Sequence, residues 1–117
     1  MLRNKAGLGK LPDPALTGIP VIVAAELWTG VKKNVHTHPH QASRLAAFLG
    51  FFRIADFTLD CALHYADIRT DLEAKGLTIG PLDLLIAAQA RSLDATLVTA
   101  NVREFKRVKG LKLLEWK

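Results

Sequence analysis

Cysteine is almost absent from this 117-residue chain, and Cys61 is its single thiol. One thiol excludes an internal disulfide and fits a reducing, cytoplasmic compartment. The sequence contains no apolar run of about 18 residues, so it offers no membrane-spanning helix. Its first residues lack the contiguous apolar stretch of a secretory leader, which speaks against export. No internal repeat and no linker divides the chain. One domain over residues 1–117, with one modest core, is therefore expected. Regular periodicity is missing from Met1 to Gly18, which reads as loop or weakly ordered chain and as an atypical N-terminal segment of that domain.

What is present begins with the balance of residues. Half of them are hydrophobic and 23% are charged, as in a globular protein. The net charge is +5 and unevenly spread: +3 over residues 1–33, −2 over 34–102 and +4 over 103–117. Arg103, Lys106, Arg107 and Lys109 open the basic end. Such an end suits either a polyanion, because phosphate neutralisation drives sequence-independent binding, or a plain solvated surface.

The most informative stretch is Ile79–Phe105. Gly80 and Pro81 punctuate the start of a helix, where Pro loses nothing because the first N–H groups are unpaired anyway. Leu82, Leu85, Ile86 and Ala90 recur at helical spacing and predict its apolar face. Asp83 falls in the first turn, where the helix dipole favours a negative charge. The helix gives out near Leu93–Asp94, and Ala95–Thr99 is a short β-branched run of strand type. Asn101 follows the carboxyl end of that strand, the rim at which open α/β sheets bind ligands.

Earlier in the chain, Ile19–Ala25 is an apolar run of the length of a buried strand, with Glu26 at its carboxyl end opening a helix. The segment VHTHPHQ is a connection in which His36, His38 and His40 could share one side, as a weak metal site or as an exposed loop. Leu45, Phe48, Leu49 and Phe52 predict a helix over about Ala42–Phe51, and Arg53–Phe57 a short strand. Cys61, Tyr65, Ile68 and Leu72 predict an amphipathic helix that ends at Gly76, a C-cap. Strands that alternate with helices imply a mainly parallel sheet with helices on both faces. Acids near strand ends, with an amide oxygen nearby, suit Mg²⁺ or Mn²⁺.

From Asp56 to Trp116 the sequence resembles the VapC-type toxins, PIN-domain ribonucleases of toxin–antitoxin pairs. The resemblance is carried by Tyr65-Ala66-Asp67-Ile68-Arg69, Leu72-Glu73-Ala74-Lys75-Gly76, Ile79-Gly80-Pro81-Leu82-Asp83-Leu84-Leu85-Ile86-Ala87-Ala88, Leu97–Phe105 and Gly110–Trp116. Val21–Gly30 is similar to the family's second strand and helix start, with Pro20 and Val23 where Ser and Thr are usual. The resemblance implies an α/β/α sandwich and metal-dependent RNA cleavage. It makes Glu26, Asp83 and Asn101 the metal-binding and catalytic residues, Thr99 a supporting hydroxyl, and Arg103, Lys106, Arg107 and Lys109 the contacts to RNA. It also implies a VapB-type antitoxin as partner, and a homodimer is expected.

One departure stands out. The family's first aspartate lies in a Leu-Asp-Thr-Asn motif on the central strand, and nothing in Met1–Gly18 matches it. Asp13, between Pro12 and Pro14, is no substitute. The expectation is a sheet whose first, central strand is missing or altered. Met1–Leu11, a partner chain or closure of the flanking strands would then fill the gap, and a dimer that shields it is favoured. The alternative to an active ribonuclease is an inactive PIN module that keeps its antitoxin-binding or dimerisation surfaces.

Overall fold

The structure is a computed structural model and describes residues 2–3 and 17–116. Most of Met1–Gly18 therefore lies outside the described residues. The elements follow in the order β1 (Leu2–Arg3), β2 (Thr17–Pro20), α1 (Val21–Lys33), α2 (Gln41–Leu49), β3 (Arg53–Ala55), α3 (Leu59–Lys75), α4 (Pro81–Ser92), β4 (Thr96–Thr99), α5 (Val102–Phe105) and β5 (Lys112–Glu115). The strands form one sheet in the order β3-β2-β1-β4-β5. Away from the centre it is the parallel α/β sheet that alternating elements imply: β2 runs parallel to β3, and β4 to β5.

The centre is altered. β1 runs antiparallel to both neighbours, with Leu2 opposite Gly18 and Leu97, and Arg3 opposite Thr17 and Thr96. The gap is thus filled from within the chain over two residues. Each buried backbone group left unpaired would cost about 1–3 kcal/mol, so even this stub matters. At these four positions the flanking strands have no need of a second copy. Neither Leu2 nor Arg3 is acidic, so β1 brings no carboxylate to the sheet.

Of the Ile19–Ala25 run only Ile19 and Pro20 are strand. β2 stops at Pro20 and α1 begins at Val21, so Val21–Gly30 is helical throughout. A short apolar run carries no period that separates a buried strand from a buried helix. Pro20 decides the boundary: it has no N–H for the ladder, and its φ of −59° suits the residue before a helix. Glu26 consequently sits in the second turn of α1 instead of at the strand end.

The other boundaries follow their local chemistry. Thr58 caps α3, its Oγ1 accepting from the Cys61 N–H at 3.3 Å. Gly76 ends that helix at φ 65°, a left-handed conformation that side chains resist. The Leu77 N–H then returns to the Leu72 carbonyl at 2.9 Å, which completes the cap. α4 starts at Pro81 with Gly80 before it, and Asp94, at φ 52°, turns the chain into β4.

The core lies where α3, α4 and β4 meet, around Ile68, Leu72, Ile86, Ala87 and Leu97. Ala87, Ala88 and Ala90 are fully buried, and their small side chains let neighbouring backbones approach α4 closely. Leu82, expected on the apolar face, is instead 45% exposed. The first turn of α4 overhangs the core, and burial begins at Leu84. Buried Gln89 donates from Nε2 to the Ala55 carbonyl at 2.7 Å and ties the end of β3 to α4. Arg91 ties α4 to two other segments, donating to His64 Nδ1 at 2.9 Å and Asp67 Oδ2 at 2.6 Å on α3, and to the Lys109 carbonyl at 3.1 Å after α5. Among the described residues no helix is long and apolar enough to cross a membrane.

Candidate active site

β2 and β4 both run antiparallel to β1, so their carboxyl ends share one rim of the sheet. α1 leaves β2 at that rim. α4 runs back into β4, so its first turn stands there too, and α5 begins just beyond β4. Three helices thereby begin at one edge, with Glu26 in the second turn of α1, Asp83 in the first turn of α4 and Glu104 on α5.

Asp83 is half-buried, with its Oδ2 lying 3.6 Å from where a Gly80 Cβ would stand. Its carboxyl is pushed above its usual range, first by burial, then by the negative charge of Glu104, then by that of Glu26. The two neighbouring acids add to the effect of burial, since like charges disfavour ionisation. Asn101 holds Glu104, its Nδ2 donating to Oε2 at 2.8 Å. A carboxylate only accepts, so the Asn101 amide must present nitrogen to Glu104 and its Oδ1 faces elsewhere. Thr99 fixes the turn, its Oγ1 accepting from the Asn101 N–H at 3.0 Å.

Glu26, Asp83, Asn101 and Thr99 thus fall along one rim, and Glu104, absent from the expected set, joins them. Its signal is legible in the sequence: Asn101-Val102-Arg103-Glu104 has the spacing of a helix cap residue and an acid three positions on. The histidines do not converge. His36, His38 and His40 are exposed, and His38 Nδ1 pairs only with Thr37 Oγ1, at 3.0 Å, among the described residues. A metal site at these histidines is not supported, because Pro39 and the adjacent helix start spread them over a turn instead of an extended segment.

Among the described residues no three His, Cys, Asp or Glu side chains stand close enough to grip an ion. The donor set nevertheless fits a hard divalent cation. Mg²⁺ keeps most of its waters and takes only one or two carboxylates from a protein. Carboxylates at this rim, Asp83 with Glu26 or Glu104, are of the type such an ion takes, and a cation would offset the repulsion that acts on Asp83.

Of the basic residues, Arg103, Lys106 and Lys109 are exposed beside this rim or on the loop after α5. Arg107 is already engaged, donating from Nη1 to the Thr78 carbonyl at 3.0 Å. It anchors that loop to the segment before α4.

The raised proton affinity of Asp83 has a consequence for stability. A carboxyl that holds its proton more tightly when folded destabilises the fold once ionised. Its favourable contribution is full below its ordinary value of 3.8 and is lost as pH rises through the raised value. Urea midpoints measured from pH 3 to 7 should therefore fall more, or rise less, for the wild type than for Asp83→Asn across that window. Parallel curves would show that Asp83 is not strained.

The comparisons agree with this architecture. The PIN-domain family model matches residues 10–111. Over 98 residues the chain is 48% identical to ribonuclease VapC2 of Rickettsia felis, covering 84% of this chain and 72% of that protein. It is 33% identical to the tRNA(fMet)-specific endonuclease VapC of Salmonella typhimurium, covering 84% of this chain and 74% of the relative. Among solved structures, VapBC2 from Rickettsia felis bound to promoter DNA superposes with a TM-score of 0.80 at 46% identity, covering 86% of this chain and 74% of that one. DNA-bound VapBC from Salmonella typhimurium gives 0.85 at 30% identity, covering 90% and 79%. A matched model spanning most of the chain, relatives at this identity and the shared fold lead to one conclusion: the chain belongs to the PIN-domain family, in its VapC-type branch.

Proposed function

We propose that this protein is a metal-dependent endoribonuclease toxin of the cytoplasm, held in check by a VapB-type antitoxin. The observation that carries the reading is the placement of Glu26, Asp83 and Glu104 at one rim of the sheet, with the Asp83 carboxyl pushed up by burial and by both neighbouring acids. Glu26 and Asp83 would hold Mg²⁺ or Mn²⁺, with Asn101 positioning Glu104 beside them. When bound, such an ion lowers the pKa of a water and offsets the charge that builds on the phosphodiester. Thr99 keeps Asn101 in place, while Arg103, Lys106 and Lys109 hold the RNA backbone. Arg107 keeps the loop that carries Lys106 and Lys109 against the segment before α4.

The antitoxin has a suitable seat. A groove of about 460 Å³ between α1 and α2, lined by Leu27, Gly30, Val31 and Leu45 among others, starts one residue from Glu26. An amphipathic helix lays its apolar face into a groove of this kind. An inhibitor seated there would lie next to the acids.

The test is cleavage of an end-labelled RNA. Cleavage is expected in millimolar Mg²⁺ or Mn²⁺, none in EDTA, and the rate should fall steeply between 50 and 200 mM salt because phosphate contacts release counterions. Equal cleavage in EDTA would overturn the metal-dependent reading. One observation favours a second reading: β1, Leu2–Arg3, places no acid at the centre of the sheet. An inactive module would cleave nothing under any of these conditions, yet still bind an antitoxin peptide or sediment as a dimer.

A further inference from the structure

We propose that the cleft beside Trp116 receives an unpaired nucleobase of the RNA whose backbone crosses the acid rim. The proposal rests on the ribonuclease reading and assigns that site a place for a base. The cleft has a volume of about 310 Å³ and is lined by Val98, Thr99, Ala100 and Trp116. It lies at the carboxyl end of β4, where the acids are.

The register explains why the indole is there. In β4 and β5, Leu97 pairs with Leu113 and Val98 with Leu114, while Thr99 pairs with Glu115. Side chains alternate along a strand. Leu97 and Leu113 turn to the face that packs against α3 and α4. Val98 and Leu114 turn to the opposite face, and Ala100 and Trp116, just past the strand ends, line one cleft with Val98 and lie outside the core cluster. The indole therefore contributes nothing to the main core, and Trp116 is 39% exposed. Its root is nevertheless fixed, because the Trp116 N–H donates to the Thr99 carbonyl at 2.9 Å. A half-exposed aromatic on a fixed backbone has only two side-chain torsions to order on contact, which suits a stacking surface.

The same residue, Thr99, connects this cleft to the acids. Its carbonyl holds Trp116, and its hydroxyl holds the Asn101 N–H. Asn101 in turn holds Glu104, whose charge reaches Asp83. One turn thus sets both the aromatic wall and an acid of the crevice. Exposed Arg103, two residues beyond Asn101, offers charge to the phosphates on either side of a base. The Val98 and Ala100 walls are apolar and offer no side-chain donor to a base edge. The cleft selects for an unstacked base over a paired one and is tolerant of which base it is, as stacking sites are.

The test uses the full chain in a Trp28→Phe background, where Trp116 is the only remaining tryptophan. It is titrated in EDTA with single-stranded hexaadenylate and with the same backbone carrying abasic positions. Quenching of Trp116 fluorescence by hexaadenylate, and not by the abasic strand, is expected. Read by anisotropy of an end-labelled strand, Trp116→Ala should weaken hexaadenylate binding by about five- to 150-fold, the range set by one stacked base. Trp116→Phe should weaken it less, and neither should change binding of the abasic strand. Equal affinities of Trp116→Ala and its parent for hexaadenylate, or quenching by the abasic strand, would overturn the proposal. If the parent cleaves RNA while Trp116 makes no difference, the base site alone falls. If the parent neither binds nor cleaves RNA, the ribonuclease reading falls with it.

Discussion

Asp83→Asn should slow metal-dependent RNA cleavage by about 10²–10³-fold, the usual cost of removing a group that stabilises developing charge. The substitution keeps the shape and one oxygen and removes the negative charge. That charge is held at a cost, since burial, Glu104 and Glu26 all oppose it. A charge maintained against such opposition has its natural partner in a cation. The same substitution should leave the protein as stable as the wild type at neutral pH, or more so, because it relieves the repulsion. This pairing of lost activity with retained stability is common at functional sites. Asp71→Asn is the control. Asp71 meets Lys75 at 3.1 Å on the exposed side of α3, and such surface pairs contribute little. Single-turnover cleavage and urea unfolding on the same samples decide the matter. Undiminished cleavage by Asp83→Asn would remove it from the site.

Leu72→Ala is expected to cost about 2–5 kcal/mol, through lost transfer energy and the cavity left behind. A small domain holds only about 5–15 kcal/mol, so this variant approaches the limit of folding. Leu72 is 1% exposed and packs in the cluster that joins α3 to α4 and β4. Its carbonyl also closes the cap at Gly76 through the Leu77 N–H. Collapse of the surroundings into the cavity would disturb the start of α4 nearby, and with it the placement of Asp83. Leu63 offers the contrast. It stands on the same helix at 62% exposure, on the side away from the core. Leu63→Ala should change stability by less than about 0.5 kcal/mol. Urea unfolding at 25 °C separates the two, and a loss below about 1 kcal/mol for Leu72→Ala would contradict the packing described.

The site is legible in the sequence where a local rule and a family pattern coincide. Gly80-Pro81 announces the start of α4, and Asp83 falls in its first turn by position alone. Thr99 and Asn101 are readable because a β-branched run must end where polar turn formers begin. Glu26 is marked by its pattern and expected to open a helix, but that helix begins five residues earlier, at Val21. Its apolar surroundings look alike in a buried strand and a buried helix. Glu104 carries a weaker signal, the cap spacing from Asn101, which the basic residues around it, Arg103, Lys106 and Arg107, outweigh in the local charge.

What the sequence by itself determined was local. The lone Cys61, the cap at Gly76, the Pro81 helix start, the β4 run and the basic C-terminal end each follow from residue chemistry within a few positions. Tertiary structure decided what depends on distant partners. It alone showed that Leu2–Arg3 enters the sheet antiparallel, because strand pairing is a relation between segments and two residues carry no period. It alone exposed Leu82 while burying Leu84, because burial is set by what packs against a helix. It alone brought Glu26, Asp83 and Glu104 to one rim, because residues 78 positions apart meet only when β2 and β4 are laid in the same direction on either side of β1.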